Sequence, residues 1–352
     1  MTFSTHSNMR EKNVNSQIFS AHIMAGDLER LLETTAGAVR EQARVIHARN
    51  PSKLYLVASG ASMTALFVVK YMMERYSRLP TELVVGAELL AMAPPTADST
   101  AVALSASYSG KTADTLGGLR FLRQRGVHTI GFVNDERSEA GQMLDVAFGY
   151  NSKALFTSAM ALGQVFCAEL MHLRGEFGDY ARFRRSLDEL PDVVRAAQDS
   201  AEQTGGRIAD ALEDSGLVYV LADGPLCGTG YQTAYTTIME YLRVNSSFIP
   251  TTEFRHGPLE VLGNHPDMLV LLGTDGTRCY GEDTITFARR HGACVQVIDS
   301  RELGETHELL TPYLVYPAMQ WYILHAAVKK AIDLDEYLYM HVYPYREGEQ
   351  YY

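Results

Sequence analysis

Apolar positions along this chain fall into two kinds of run. Four short stretches are continuously apolar: KLYLVAS (53–59), TELVVG (81–86), AVALSAS (101–107) and VHTIGFV (127–133). Without polar alternation, they fit strands of a parallel sheet buried on both faces. Met63–Tyr76 and Thr112–Gln124, set between them, have helical spacing. Ahead of the first strand, Leu28, Leu32, Val39, Ala43 and Ile46 recur near helical spacing, which predicts one helix ended by Asn50-Pro51. Residues 1–17 are polar and aperiodic and are expected to form a loose arm. Helices are expected at 157–175 and 180–204, the second crossing toward a new unit.

The pattern then restarts. GLVYVLADG (216–224) matches KLYLVASG (53–60) in kind: an apolar strand enters a small-residue turn and then a helix, here 229–243. SSFIP, DMLVLLG (267–273) and ACVQVIDS (293–300) supply further strands, and Gln320–Ile332 a closing helix. This predicts an α/β fold, an internal duplication of two tandem doubly wound domains whose parallel sheets are flanked by helices. The expected organisation is an N-terminal arm at 1–27, a first domain at 28–205, a second at 206–332 and an aromatic-rich tail at 333–352.

Composition narrows the setting. The chain has 352 residues, 46% hydrophobic and 21% charged, which is a globular balance with room for two cores. No apolar run approaches the roughly 20 residues of a membrane span, and Met1–Lys12 lacks the apolar core of an export signal, so a cytoplasmic location is expected. Cys167, Cys227, Cys279 and Cys294 are scattered without CxxC spacing and are expected to be buried reduced thiols. The net charge of −11 comes with no basic cluster beyond the short RFRR (182–185), so no nucleic-acid partner is expected. An anionic substrate must then be held by local donors.

In an open parallel sheet, ligands bind beyond the carboxyl ends of strands. Two candidate loops lie there in the first half. Ser59-Gly60-Ala61-Ser62 is one; Ser105–Thr112 is the other, with Ser107, Tyr108, Ser109, Gly110, Lys111 and Thr112 leading into a helix. Hydroxyls, backbone N–H groups and a helix N-terminus can converge there on one anion, and Gly110 permits close approach. One capping hydroxyl would suffice for the helix alone. The loop is not a Walker motif. In the second half, Asp223–Gly230 lacks this hydroxyl density and reads as a tight turn. Glu240, Glu253 and His256 form a separate cluster, in which a carboxylate and an imidazole can serve as a base–acid pair. Nothing here has metal-ligand spacing, and no GxSxG elbow is present.

SYSGKT (107–112) resembles the SxSGxT phosphate loop of sugar isomerase (SIS) domains. EFRHGPLE (253–260) resembles the E-x-x-H-G-P motif of the second SIS domain in the isomerase half of glucosamine-6-phosphate synthase. Over roughly residues 28–345 the chain looks most like the bacterial fructosamine-6-phosphate deglycases, which are paired SIS domains without a glutaminase half. The resemblance implies that Ser62, Ser107, Ser109 and Thr112 hold phosphate. It makes Glu240 the carboxylate that moves a proton between C1 and C2. It makes His256 the ring-opening or proton-shuttling histidine, reaching a neighbouring subunit's site in a homodimer, and Glu253 a candidate to orient it.

The chain departs from the family's aminosugar isomerases at two places. Lys111 stands where they usually carry Glu. No lysine follows Lys330, and His341 falls near their C-terminal lysine. The expected activity is cleavage of a 6-phosphorylated sugar–amino acid conjugate to hexose 6-phosphate and free amino acid. It would proceed without cofactor or metal and without a nucleic-acid or membrane partner. The alternatives are an aminosugar-phosphate or aldose–ketose phosphate isomerase and a non-catalytic sugar-phosphate sensor. The amine, its C1 or C2 linkage and the hexose are left open by the sequence.

Overall fold

A computed structural model describes residues 3–340, 342 and 343 of the chain. It divides into two compact units, one formed by Met24–Asp192 and the other by the residues up to Ile23 together with those from Val193 onward.

The first unit holds a five-stranded sheet: β1 (Leu54–Ala58), β2 (Thr81–Val85), β3 (Val102–Ser107), β4 (His128–Val133) and β5 (Val146–Gly149), in the order β2-β1-β3-β4-β5. Every pairing is parallel. The continuously apolar runs are these strands, and all of β1 and β3 is buried. β5 (VAFG) is a four-residue, half-buried strand at the edge, which the sequence pattern does not single out. The helix anticipated up to Arg49 is two, Met24–Thr34 and Ala36–Arg49, meeting at Thr35. The Leu155–Leu173 helix is buried without interruption from Phe156 to Met171. It is apolar all round because it packs against the Ala36–Arg49 and Phe67–Tyr76 helices and against β4. Its one carboxylate, Glu169, accepts hydrogen bonds from Arg44 Nη2 at 3.0 Å and from the Tyr180 hydroxyl, so its charge is not left unpaired in the interior.

The second unit repeats the plan with β6 (Leu217–Ala222), β7 (Asn245–Pro250), β8 (Asp267–Leu272) and β9 (Cys294–Asp299), in the order β7-β6-β8-β9 and again wholly parallel. The closing helix begins at Pro312, earlier than its sequence pattern suggests, and runs to Lys329 against the Gln198–Ala211 helix. Pro at the first helical position costs nothing, because that N–H has no partner within the helix. The four cysteines are free; Cys167 is buried, Cys279 is exposed and the other two are partly covered, so the expectation of four buried thiols holds only for Cys167.

The N-terminal segment is not a loose arm. Phe3–Val14 is a helix, and the residues around its end fasten the stretch that follows the closing helix. Fully buried Asn13 donates through Nδ2 to the Ile332 carbonyl at 2.9 Å and accepts through Oδ1 from the Leu334 N–H at 3.0 Å. Ser16 Oγ and the Gln17 N–H both donate to Asp335 Oδ1, and Lys12 pairs with Asp333 at 2.5 Å. Ser20 N–H reaches Gln320 Oε1 at 2.9 Å, and Gln320 Nε2 returns a bond to the Ile18 carbonyl. The polar character that suggests disorder in sequence is spent on partners three hundred or more residues away. Asn13→Ala leaves two backbone groups without their partner and should cost about 1–3 kcal/mol, measured as a lowered melting temperature together with faster hydrogen exchange at the Leu334 amide.

Candidate functional site

In the first unit the chain leaves β1 toward β2 on one side while β3 lies on the other, so the carboxyl ends of β1 and β3 flank a topological switch point where ligands enter such sheets. Ser59 is extended there (φ −141°, ψ 154°) and Gly60 turns the chain at φ 54° into the Gly60–Thr64 helix. β3 ends at Ser107, so Ser105, Ala106 and Ser107 belong to the strand, and the turn itself is Tyr108–Lys111. Thr112 heads the Ala113–Gln124 helix.

Three hydroxyls around this turn accept backbone hydrogen bonds: Ser107 Oγ from Gly110 N–H at 3.1 Å, Ser109 Oγ from Lys111 N–H at 3.2 Å and Ser62 Oγ from Tyr108 N–H at 3.3 Å. A serine oxygen that spends a lone pair in this way keeps its own O–H to donate. The group therefore presents donors, next to a helix N-terminus with its partial positive charge. Thr112 Oγ1 lies 3.4 Å from Ser109 Oγ, and Lys111 is exposed at the rim. Thr115 Oγ1 donates to Ser59 Oγ at 3.1 Å and ties the two loops together, a link no sequence motif announces. Gly110 is required twice over. Its φ is 66°, and a Cβ there would lie 2.2 Å from Ser138 Oγ, the hydroxyl that caps the Glu139–Met143 helix.

The second unit carries the same turn in register, with a different filling. Asp223 (φ −138°, ψ 177°) and Gly224 (φ 55°) repeat the Ser59 and Gly60 conformations. β6 pairs Val218 with Asp267 as β1 pairs Leu54 with Val102, and Thr277 heads the Arg278–Arg290 helix where Thr112 heads its own. Counted from those pairs, Asp275 stands at the Gly110 position. Its carboxylate comes within 2.6 Å of where a Cβ on Gly224 would be, whereas Gly60 has nothing within 4 Å. Asp275 Oδ1 accepts from the Thr277 N–H at 2.9 Å and the Thr277 hydroxyl at 2.7 Å. Burial holds the neighbouring Asp223 above the usual carboxylate range, and the Asp275 charge adds to this. The second turn thus holds its own carboxylate where the first is open.

Glu240 lies on a π-helix, Ala234–Leu242, which Arg243 ends in the left-handed conformation (φ 57°). π-segments within helices are uncommon and concentrate at functional sites. Burial pushes the Glu240 carboxyl up to about 7, opposed in part by the Tyr241 hydroxyl beside it. β7 then leads into a 3₁₀ turn, Thr251–His256, which brings Glu253 and His256 to the surface, both exposed. His256 Nε2 accepts from Arg255 Nε at 3.3 Å, so its hydrogen-bond partner here is Arg255 and not Glu253. Pro258 begins a second 3₁₀ turn, Pro258–Asn264. The structure therefore sets the phosphate-loop residues in the first unit and Glu240, Glu253 and His256 in the second. His341 lies outside the described residues. Among the described residues no group of three or more His, Cys, Asp or Glu could hold a metal ion.

Comparison with known proteins agrees with this architecture. Residues 48–168 match the SIS domain model. Fructoselysine 6-phosphate deglycase of Escherichia coli (strain K12) is 25% identical over 317 residues, covering 90% of this chain and 93% of that one. Fructosamine deglycase FrlB of Bacillus subtilis (strain 168) is 26% identical over 252 residues, covering 70% and 76%. A Salmonella typhimurium LT2 protein thought to be a phosphosugar isomerase shares the fold with a TM-score of 0.83 at 23% identity, covering 89% of this chain and 97% of that one. The C-terminal domain of glucosamine-fructose-6-phosphate aminotransferase from Francisella tularensis shares it with a TM-score of 0.77 at 18% identity, covering 90% and 98%.

Gly110→Ala should destabilise the first unit by about 1–3 kcal/mol through the positive φ and the Ser138 clash. Inorganic phosphate is expected to raise the melting temperature of the unaltered protein, and Gly110→Ala should abolish that rise, read in a phosphate titration by differential scanning fluorimetry.

Proposed function

We propose that the chain is a deglycase that splits a 6-phosphorylated sugar–amino acid conjugate into hexose 6-phosphate and the free amino acid. The observation that carries this reading is Glu240, a carboxyl held near neutrality by burial on a π-helix, in a chain whose curated relatives include two deglycases. A base whose pKa lies near the working pH is ionised enough to take a proton and basic enough to want it.

The steps follow from carbonyl chemistry. The donors of Ser62, Ser107, Ser109 and Thr112, with Lys111 at the rim and the glycine turns at Gly60 and Gly110, hold the phosphate; Ser59 and Tyr108 complete that loop pair. Phosphate binding away from the reacting carbons fixes orientation. His256 assists ring opening. Glu240 removes the C–H proton next to the carbonyl or imine and returns it to the neighbouring carbon. Removal gives the enaminol, return of the proton to the neighbouring carbon turns it into an imine, and water adds to the imine carbon and expels the amine. The carbonyl is itself the electron sink, so the sequence of steps needs no cofactor. In this reading the protein is cytoplasmic and a homodimer, with exposed His256 serving the neighbouring subunit's site. Glu253 and His341 are assigned lesser, positioning roles.

Glu240→Gln should lower release of hexose 6-phosphate from fructosamine-type 6-phosphate conjugates by at least about 10²-fold, the low end of what a general base contributes, while phosphate still raises the melting temperature. Near-normal turnover in this variant would sink the mechanism, and isomerised product without free amino acid would favour the isomerase reading. Because Glu240 acts ionised, kcat/KM should fall as the pH drops through about 7. Mixing inactive Glu240→Gln and His256→Ala subunits should restore about a quarter of the activity. Half of the dimers would be mixed, each with one intact site; no recovery would place the two residues in one subunit's site.

A further inference from the structure

The 3₁₀ turn that carries His256 is fastened at alternate residues. The Thr252 N–H donates to Asp223 Oδ2 at 2.9 Å, and the Thr252 hydroxyl donates to Asp223 Oδ1 at 3.0 Å. Thr251 is buried, and Phe254 packs into the core with Ile249, Leu262 and Ile285. Gly257 ends the turn at φ 141°. Glu253, Arg255 and His256 are left exposed on a turn that is held in place from below.

Two of these exposed groups hold each other. Arg255 Nε donates to His256 Nε2 at 3.3 Å. The same guanidinium lies over the ring of Tyr280, with Cζ 5.9 Å from the ring centroid. Tyr280 comes from the Arg278–Arg290 helix, which packs against this turn. An aromatic face attracts a cation, and a planar guanidinium suits it better than an ammonium does. The Tyr280 ring thus holds the guanidinium where its Nε–H meets the imidazole.

The direction of that bond decides the state of the imidazole. A neutral imidazole has one nitrogen with a hydrogen and one with a lone pair, and the bond made by either fixes the other. A guanidinium has only hydrogens to give. Nε2 therefore supplies the lone pair, and the ring hydrogen sits on Nδ1. A second proton on the ring would set N–H against N–H and cation beside cation, so this contact belongs to the neutral form. What His256 then offers a substrate is the Nδ1–H, with no free lone pair. An imidazole in this form polarises an oxygen by donating to it, and cannot take up a proton until the Arg255 contact is given up. Of ring opening and proton shuttling, the first suits this form and the second does not.

We propose that Arg255, held by Tyr280, is a positioning residue that keeps His256 in its Nδ1–H tautomer, so that His256 acts on the sugar as a neutral hydrogen-bond donor to the ring oxygen. The proposal rests on the assignment of His256 to the reaction, and its test separates the two. In protein labelled with ¹⁵N-histidine, without substrate and at a pH where imidazoles are neutral, the His256 nitrogens are identified by their loss in His256→Ala. Nδ1 should resonate as the protonated, pyrrole-type nitrogen and Nε2 as the pyridine type. Arg255→Met keeps the length of the side chain and removes the donor, and should draw the two resonances together as the tautomers mix. Tyr280→Ala should do the same to a smaller extent, whereas Tyr280→Phe keeps the ring and should leave them in place. On a fructosamine-type 6-phosphate conjugate, Arg255→Met should lower kcat by about tenfold with KM little changed, well short of the loss when a buried orienting carboxylate is removed. Matching amide spectra show that the fold is retained. A hydrogen on Nε2 in the unaltered protein, resonances unmoved in Arg255→Met, or an unchanged kcat in that variant overturns the proposal. If the resonances move but His256→Ala retains turnover, Arg255 still sets the tautomer and the assignment of His256 to the reaction is what fails.

Discussion

The candidate anion site of the first unit depends on one constraint of parallel sheets. The strands are buried on both faces, so no strand face is left for a ligand, and the usable surface is the row of turns at the carboxyl ends. Where neighbouring strands are left in opposite directions, as at β1 and β3, two of these turns cannot cover each other and a crevice remains. The hydroxyls of Ser62, Ser107 and Ser109 stand around that crevice in the first unit because the sheet order puts them there. Their bonds to backbone N–H groups fix the oxygens and leave the hydrogens free. This is the pre-organisation that anion binding wants.

The second unit answers a different demand. A carboxyl that moves protons must be partly taken from water, yet must not be so buried that it never ionises. At Glu240 burial pulls one way and the Tyr241 hydroxyl the other, leaving the group near 7. The wider π-turn and the left-handed stop at Arg243 set this local arrangement. Both are departures from the regular helix that the sequence pattern implies.

The sheets were legible because continuous runs such as LYLVA and VALSAS have few other uses, and the Ser105–Thr112 loop is a candidate anion site because its hydroxyls outnumber what a helix cap requires. Glu240 and His256 are candidates through a family motif and their interval, not through any local property. What escaped has a physical reason in each case. β5 is a four-residue edge strand, and a run as short as VAFG is not distinguished from a turn or helix segment by its pattern. The Phe3–Val14 helix has almost no apolar face, and the bonds of Asn13 and Ser16 to distant backbone and to Asp335 cannot be read from neighbouring residues. Arg255 looks like any solvated charge in sequence; only its contacts with His256 and Tyr280 single it out. Gly110 could be read as a turn glycine, but the pressure from Ser138 could not.

The filled turn at Asp275 bears on how such a protein descends from a doubled ancestor. Two copies of one half begin with two equivalent anion sites, and a substrate with a single phosphate needs only one. Placing a carboxylate where the first copy has glycine gives the second copy a permanent internal counterpart of the phosphate, attached to the chain and always present. In the proposed reading this leaves the first turn as the one open to a phosphate. An aspartate at this position in one copy, opposite glycine in the other, is a mark by which the division of labour between the halves could be dated among relatives.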